Sequence, residues 1–195
     1  MKRDVFFVQP LSVREITMLI NIDKFKIRDW EKNDTHSIAK YANNRKIWQN
    51  LRDGFPYPYN LSDAENFLSL VLAQNPRTYY ALASQEEAIG SIGLGLGADV
   101  HRFSAEMGYW LAEPFWNKGI MTKAVALFTE FAFDKFNLNR IYAEPYVTNP
   151  ASARVLEKAG FFLGRILKKS LMITIPQNFI LECMCFCCGE AWCRH

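Results

Sequence analysis

The chain has 195 residues, half of them hydrophobic and 22% charged, with a formal net charge of +3. That length suits one domain with a sizeable core, the composition excludes a disordered polyelectrolyte, and the charge is too small to argue for a nucleic-acid partner. No apolar run reaches the roughly 18 residues of a membrane-spanning helix, and all five cysteines fall between Cys183 and Cys193, whereas a secreted disulfide framework would spread them through the chain.

Residues 1–20 read as an extension. The apolar run Val5–Val8 is too short for a signal segment, Arg14 and Glu15 interrupt the next stretch, and Met18 is an alternative start. Residues 24–30 alternate as a strand. Asp34 then suits an N-cap, with Ile38, Ala39, Tyr41 and Ala42 behind it, and residues 43–53 suit a second short helix. An aromatic, Pro-broken loop covers 53–60. A capping box from Ser62 to Glu65 opens a helix over 63–74. Strands are expected at 78–84, 88–97 and 104–112, a helix at 119–136 and a strand at 140–147. Asn149 caps a helix that has Pro150 at its first position and runs to Lys158, with Gly160 suiting its end. Two last strands fall near 161–168 and 179–187. Three consecutive strands imply antiparallel hairpins, and the β-α-β pattern over 104–147 implies one parallel crossover. The fold class is therefore α/β with a mixed sheet in one domain.

Two glycine-rich stretches invite a phosphate-binding reading. In "GSIGLGLG" (90–97) the glycines alternate with Leu94 and Leu96 and no helix pattern comes after them, so the stretch reads as a strand with a glycine face. "WNKGIMT" (116–122) differs, because it comes after a strand and a Pro114 turn and opens a long amphipathic helix. Main-chain N–H groups of 117–122 at the positive end of that helix suit a bound phosphate, Gly119 allows close approach or a positive φ, and Lys118 adds charge.

"EMGYWLAEPFWNKGIMTKAV" and then "NPASARVLEKAGF" resemble the GNAT superfamily of acetyl-CoA-dependent N-acetyltransferases, and within it the Rim-type ribosomal-protein N-acetyltransferases. The likeness covers about residues 22–168, with a weaker match at 179–187. The family's Q/R-x-x-G-x-G/A pattern is met at Gly119, while Trp116 stands at the Q/R position and Met121 at the last Gly/Ala. The resemblance implies a GNAT-like fold, a mostly antiparallel mixed sheet with splayed central strands flanked by helices. It places a GNAT domain over 21–187 and leaves a Cys-containing tail at 188–195. It also implies acetyl-CoA as cosubstrate, its pyrophosphate on Trp116, Asn117, Lys118, Gly119, Ile120, Met121 and Thr122. Pantetheine would run along backbone groups near Trp110 and Leu111, and Asn149 and Ser152 would lie beside it. Pro145, read as mid-strand, cannot donate a ladder bond, which suits a splayed position.

Acetyl transfer needs a neutral amine, a place for its proton and a proton for the leaving thiolate. Many GNAT enzymes carry a Tyr seven residues after the Asn; here that residue is Leu156. Ser152 is the remaining proton-donor candidate, as proposed for Rim-type relatives. Glu106 is the candidate base and shares a strand face with Gly108 and Trp110. Glu144 is a second choice and a candidate acceptor contact, and the resemblance places Tyr57 and Tyr59 over the acceptor mouth with Trp48 behind them as a further acceptor-site candidate. The acceptor class stays open between a protein N-terminal amine and a small amine, including an aminoglycoside-like compound. No cysteine falls near the expected thioester, which points to direct attack in a ternary complex. The clustered cysteines read as structural or incidental, without a metal, and suggest a reducing, cytoplasmic setting. No nucleic acid or membrane partner is expected, and the chain is read as a monomer or homodimer. The rivals are a non-catalytic CoA-binding module and, more remotely, a dinucleotide-binding protein.

Overall fold

The structure is a computed structural model that describes residues 18–172 and 180–188. One eight-stranded sheet organises the chain: β1 (Leu19–Ile22), β2 (Phe25–Arg28), β3 (Tyr79–Ala83), β4 (Ala88–Leu96), β5 (Ser104–Leu111), β6 (Arg140–Ala143), β7 (Phe162–Met172) and β8 (Ile180–Cys188). The spatial order is β1-β2-β3-β4-β5-β6-β8-β7. Every neighbouring pair is antiparallel except β5 and β6. This is the mixed, mostly antiparallel sheet that the element order implied.

Among the described residues five α-helices flank it: α1 (Thr35–Ala42), α2 (Arg45–Trp48), α3 (Leu61–Ala73), α4 (Ile120–Phe136) and α5 (Pro150–Lys158). Period-2 alternation sends β-strand side chains to opposite faces, and each face has its own core. Leu82, Ile89, Ile92, Leu94 and Met107 join Val125, Phe128, Ala132 and Leu156 on the side of α4 and α5. Ala81 and Ala88 join Trp30, Ile38, Tyr59, Leu68 and Val71 on the side of α1 and α3. Phe128 is fully buried and meets Tyr80 edge-on at 5.6 Å. Truncating such a residue to Ala costs about 3–5 kcal/mol.

Several local readings change. The fold starts earlier than residue 21: β1 pairs with β2 from Leu19↔Arg28, Met18 is buried, and the Met18 N–H donates to Asp29 Oδ2 at 3.0 Å. Residues 1–17 of the expected extension lie outside the described residues, as do 189–195 of the tail. Asp34 does precede α1, but its carboxylate takes both terminal guanidinium nitrogens of Arg28 at 2.7 Å and the Glu31 N–H at 2.9 Å, and it does not cap α1. α2 is only four residues long and is capped by Asn44. The box that opens α3 is Asn60 with Asp63, two residues earlier than expected, because Asn60 Oδ1 accepts from the Asp63 N–H while Asp63 Oδ2 accepts from the Asn60 N–H. The glycines of β4 serve close strand contact: a Cβ on Gly90 would collide with the Trp110 carbonyl, and one on Gly93 with the Tyr79 ring.

Candidate active site

β5 pairs with β4 along its whole length, from Leu96↔Ala105 to Gly90↔Leu111. Its pairing with β6 lasts for only three residues, Ser104↔Arg140, Ala105↔Ile141 and Glu106↔Tyr142. Beyond that the two strands part. The expected strand over 140–147 therefore stops at Ala143, and Pro145 lies past its end, where its missing N–H interrupts no ladder. A cleft of about 890 Å³ opens in the wedge, within the range of small-molecule sites.

The far end of the cleft is the loop into α4. Glu113 anchors the turn before it by accepting from Lys46 Nζ and from Asn44 Nδ2, and these two hydrogen bonds, Lys46's first, hold its carboxyl below the usual range. Phe115 packs edge-on against Phe25 and Tyr41 at 6.0 and 6.1 Å. The Trp116 indole folds back and donates to the Leu111 carbonyl at 2.6 Å, tying the loop to the end of β5. Asn117 and Gly119 are both left-handed, with φ of 59° and 73°. Gly119 is the N-cap of α4 and supplies no side-chain cap. The first intrahelical bond runs from the Lys123 N–H to the Gly119 carbonyl, which leaves the N–H groups of Ile120, Met121 and Thr122 without helical partners. The Ile120 and Met121 side chains are buried in the core. These residues therefore offer the cleft their backbone, and the loss of a Gly/Ala at Met121 leaves the amides in place. Lys118 Nζ donates to the Pro114 carbonyl at 2.7 Å, above the Phe115 ring.

The near end carries the titratable groups. Parallel register puts Glu106 and Tyr142 on one face, and Glu144, two residues on, shares it. Arg52, from the loop between α2 and α3, spans the pair: its Nη2 lies 2.6 Å from Glu106 Oε1 and 3.4 Å from Glu144 Oε2. Trp110 faces the same way and meets Phe55 at 6.4 Å. The opposite face of β5 presents Tyr109, whose hydroxyl lies 2.8 Å from Ser152 Oγ on α5. Burial pushes the Tyr109 phenol up to about 12. Asn149 Oδ1 accepts from the Ser152 N–H at 3.1 Å, so the Asn side chain serves as the helix cap. Leu156 is fully buried in the core and does not line the cleft.

The cleft thus gathers Glu106, Glu144, Trp110, Leu111, Asn149, Ser152 and the whole run 116–122. It does not include Trp48, Tyr57 or Tyr59. Trp48 and Tyr57 stack on each other at 5.4 Å with Tyr57 exposed, and Tyr59 is buried against Phe55 at 4.9 Å. Burial pushes the Tyr59 phenol up to about 12. Sequence reasoning passed over Arg52 and Tyr109. Arg52 stood at the end of the expected helix over 43–53, just before the aromatic loop, with no local partner to mark it, and Tyr109 sat one residue off the strand face that carries Glu106.

Among the described residues no group of three or more His, Cys, Asp or Glu side chains is placed to hold a metal, and no helix is long and apolar enough to cross a membrane. Cys187 and Cys188, on β8, are not in a disulfide, and Arg140 Nη2 donates to Cys187 Sγ at 3.1 Å.

The family described as "Acetyltransferase (GNAT) domain" matches residues 24–162. "Putative ribosomal N-acetyltransferase YdaF" of Bacillus subtilis (strain 168) is 30% identical over 142 residues, covering 69% of this chain and 76% of that protein. "Probable N-acetyltransferase YjcK" of the same organism is 40% identical over 91 residues; that match spans 47% of this chain and half the length of that protein. In fold, the chain is similar to Mycobacterium smegmatis RimJ, solved in complex with CoA-disulfide, with a TM-score of 0.76, 18% identity, and coverage of 92% of this chain and 89% of that one. The splayed β5–β6 pair, the glycine-capped α4 and the match over most of the chain place this protein in the GNAT acetyltransferase family.

Proposed function

We propose that the protein transfers an acetyl group from acetyl-CoA to a primary amine, a protein N-terminus or a small amine, by direct attack in a ternary complex. The observation that carries this reading is one continuous cleft that runs from the unpartnered amides of α4 to Glu106 and Ser152. The pyrophosphate would sit on the amides of 117–122, where the helix dipole favours negative charge. Pantetheine would lie along β5 near Trp110 and Leu111, in the place β6 vacates. Arg154 and Lys158 line the same cleft from α5 and add positive charge.

The chemistry uses the two faces of β5. Glu106 accepts a proton from the arriving ammonium, directly or through water. The neutral amine attacks the thioester carbonyl, the C–N bond forms, and the C–S bond breaks. Ser152 Oγ–H donates to the departing thiolate and regains its proton, through water, from the second N–H that the attacking nitrogen sheds as it becomes an amide; its 2.8 Å contact with the Tyr109 hydroxyl holds the Ser rotamer in place. No cysteine lines the cleft among the described residues, in keeping with direct transfer. The test has two parts, calorimetric titration of CoA and thiol release from acetyl-CoA across a panel of amines and N-terminal peptides. The reading stands on CoA binding together with amine-dependent thiol release. It falls if CoA does not bind.

A further inference from the structure

Resting on the acetyltransferase reading, we propose that Arg52 occupies the seat of the acceptor's ammonium, and that the reacting amine binds where Arg52 Nη2 now lies. Glu106 and Glu144 are the only carboxylates lining the cleft among the described residues, and both face one nitrogen of Arg52, at 2.6 and 3.4 Å. Their oxygens are therefore at most about 6 Å apart, a gap that a single nitrogen already bridges. The seat sits where β5 and β6 part, just past the Glu106↔Tyr142 pair, so a nitrogen held there is at the mouth of the wedge.

The other cleft cations are accounted for elsewhere. Lys46 is paired with Glu113, Lys118 bonds the Pro114 carbonyl, and Arg154 and Lys158 stand on α5. With Arg52 in place the seat carries a formal charge of −1; without it, −2. Such a seat selects a cation of one small head group, which is a primary ammonium. The head group has three donors, enough to bond both carboxylates.

Arg52 can leave without unfolding the loop. Its side chain is 42% exposed. Its backbone neighbours are held independently: the Leu51 carbonyl accepts from Tyr146 Oη at 3.2 Å, and the Phe55 N–H donates to the Arg52 carbonyl at 2.9 Å. Arg52 keeps its proton at any working pH, so it cannot serve as the base. It competes for the seat and hands the carboxylates over when an amine displaces it. Proton balance is unchanged: the ammonium gives one proton to Glu106, and Glu106 returns it to solvent after transfer.

The test is binding, with butylammonium chloride titrated into CoA-loaded protein at fixed ionic strength and monitored by NMR. Arg52→Gln should bind butylammonium about threefold to tenfold more tightly than the parent, the scale of one or two half-exposed ion pairs. Arg52→Lys, which keeps a cation in the seat, should stay near the parent, and methylguanidinium should compete with butylammonium in Arg52→Gln. Arg52→Met repeats the comparison if Arg52→Gln lowers the melting temperature. Equal or weaker binding in the neutral variants overturns the proposal. Thiol release from acetyl-CoA separates it from the functional reading: tighter binding without turnover keeps the seat and removes the activity, and turnover without tighter binding does the reverse.

Discussion

The hydroxyl of Tyr109 on β5 lies 2.8 Å from Ser152 Oγ on α5, and a weaker contact of 3.3 Å joins it to the Ser152 carbonyl. Strand and helix thus share one hydroxyl pair on the face of β5 opposite Glu106. If Ser152 protonates the thiolate, Ser152→Ala should lower kcat by at most about 10²–10³-fold with little change in the acetyl-CoA KM. Tyr109→Phe should cost about tenfold or less, since it removes one neutral hydrogen bond. In a double-mutant cycle, Tyr109→Phe should add almost nothing on top of Ser152→Ala. Independent, additive losses measured by single-turnover kinetics would show that the two hydroxyls do not act as a unit.

The pH dependence of stability carries a sign fixed by burial. Tyr59 and Tyr80 are 5% and 3% exposed, and burial pushes both phenols from the ordinary 10 up to about 12. Below pH 10 both states hold the proton and nothing changes. Between 10 and 12 the unfolded chain loses protons that the folded chain keeps, so stability falls as pH rises, by about 1.4 kcal/mol per pH unit for each group. Tyr80→Phe should therefore flatten the decline measured by urea unfolding between pH 10 and 11. An unchanged slope would count against burial as the cause.

How much of this was legible in the sequence depends on the range of each signal. The loop into α4 was legible because a glycine, a basic residue and an amphipathic run are contiguous. The splay of β5 from β6 was legible at Pro145, although the strand ends two residues before it. Leu156 showed that the usual Tyr was missing and pointed to Ser152, but the contact of Ser152 with Tyr109 was not legible, because the two are 43 residues apart and meet only through the packing of α5 on β5. Arg52 lies 54 residues from Glu106 and 92 from Glu144, and no local pattern reports such a pairing. Within the aromatic loop, Tyr59 has the composition of a ligand contact and the burial of a core residue.

Leu156 gives a further test, since it is fully buried among the α4–α5 core residues. Leu156→Tyr should not restore an acid to the cleft. It should overpack the core and bury a hydroxyl, at a cost of about 1–3 kcal/mol. A lower melting temperature with no rise in kcat is the expected result. A gain in kcat would show that the residue turns toward the thioester.

The start of the fold can be tested by truncation. Met18 is buried, and its N–H bonds Asp29 Oδ2, while β1 pairs with β2 over Leu19–Ile22. A chain beginning at Met18 keeps every one of these contacts and should match the full chain in melting temperature and CoA affinity. A chain beginning at Asp23 loses the edge strand together with buried Met18 and Ile22, each worth about 1.5–3 kcal/mol of apolar burial. It should melt well below the full chain. If the Met18 chain melts equally low, residues 1–17 pack on the domain.

Gly119 joins the loop's conformation to its chemistry, and the two can be separated. Its φ of +73° is left-handed, and no heavy atom lies within 4 Å of a Cβ built there. A side chain at this position therefore meets open space, and only backbone strain of about 1 kcal/mol opposes it. Gly119→Ala should lower the melting temperature slightly and leave most of the CoA affinity, because the amides of 120–122 stay where they are. Gly119→Asp adds the same strain and a carboxylate at the helix N-terminus. In the absence of ligand that charge is favourable toward the dipole, so the variant should be no less stable than Gly119→Ala. With CoA it stands beside the pyrophosphate as a like charge, and affinity should drop by an order of magnitude or more while Lys118→Ala drops only modestly. The combination of retained stability and lost binding is what marks the amides of α4 as the phosphate site. Calorimetry that finds equal CoA affinity in Gly119→Asp and Gly119→Ala would move the pyrophosphate elsewhere in the cleft.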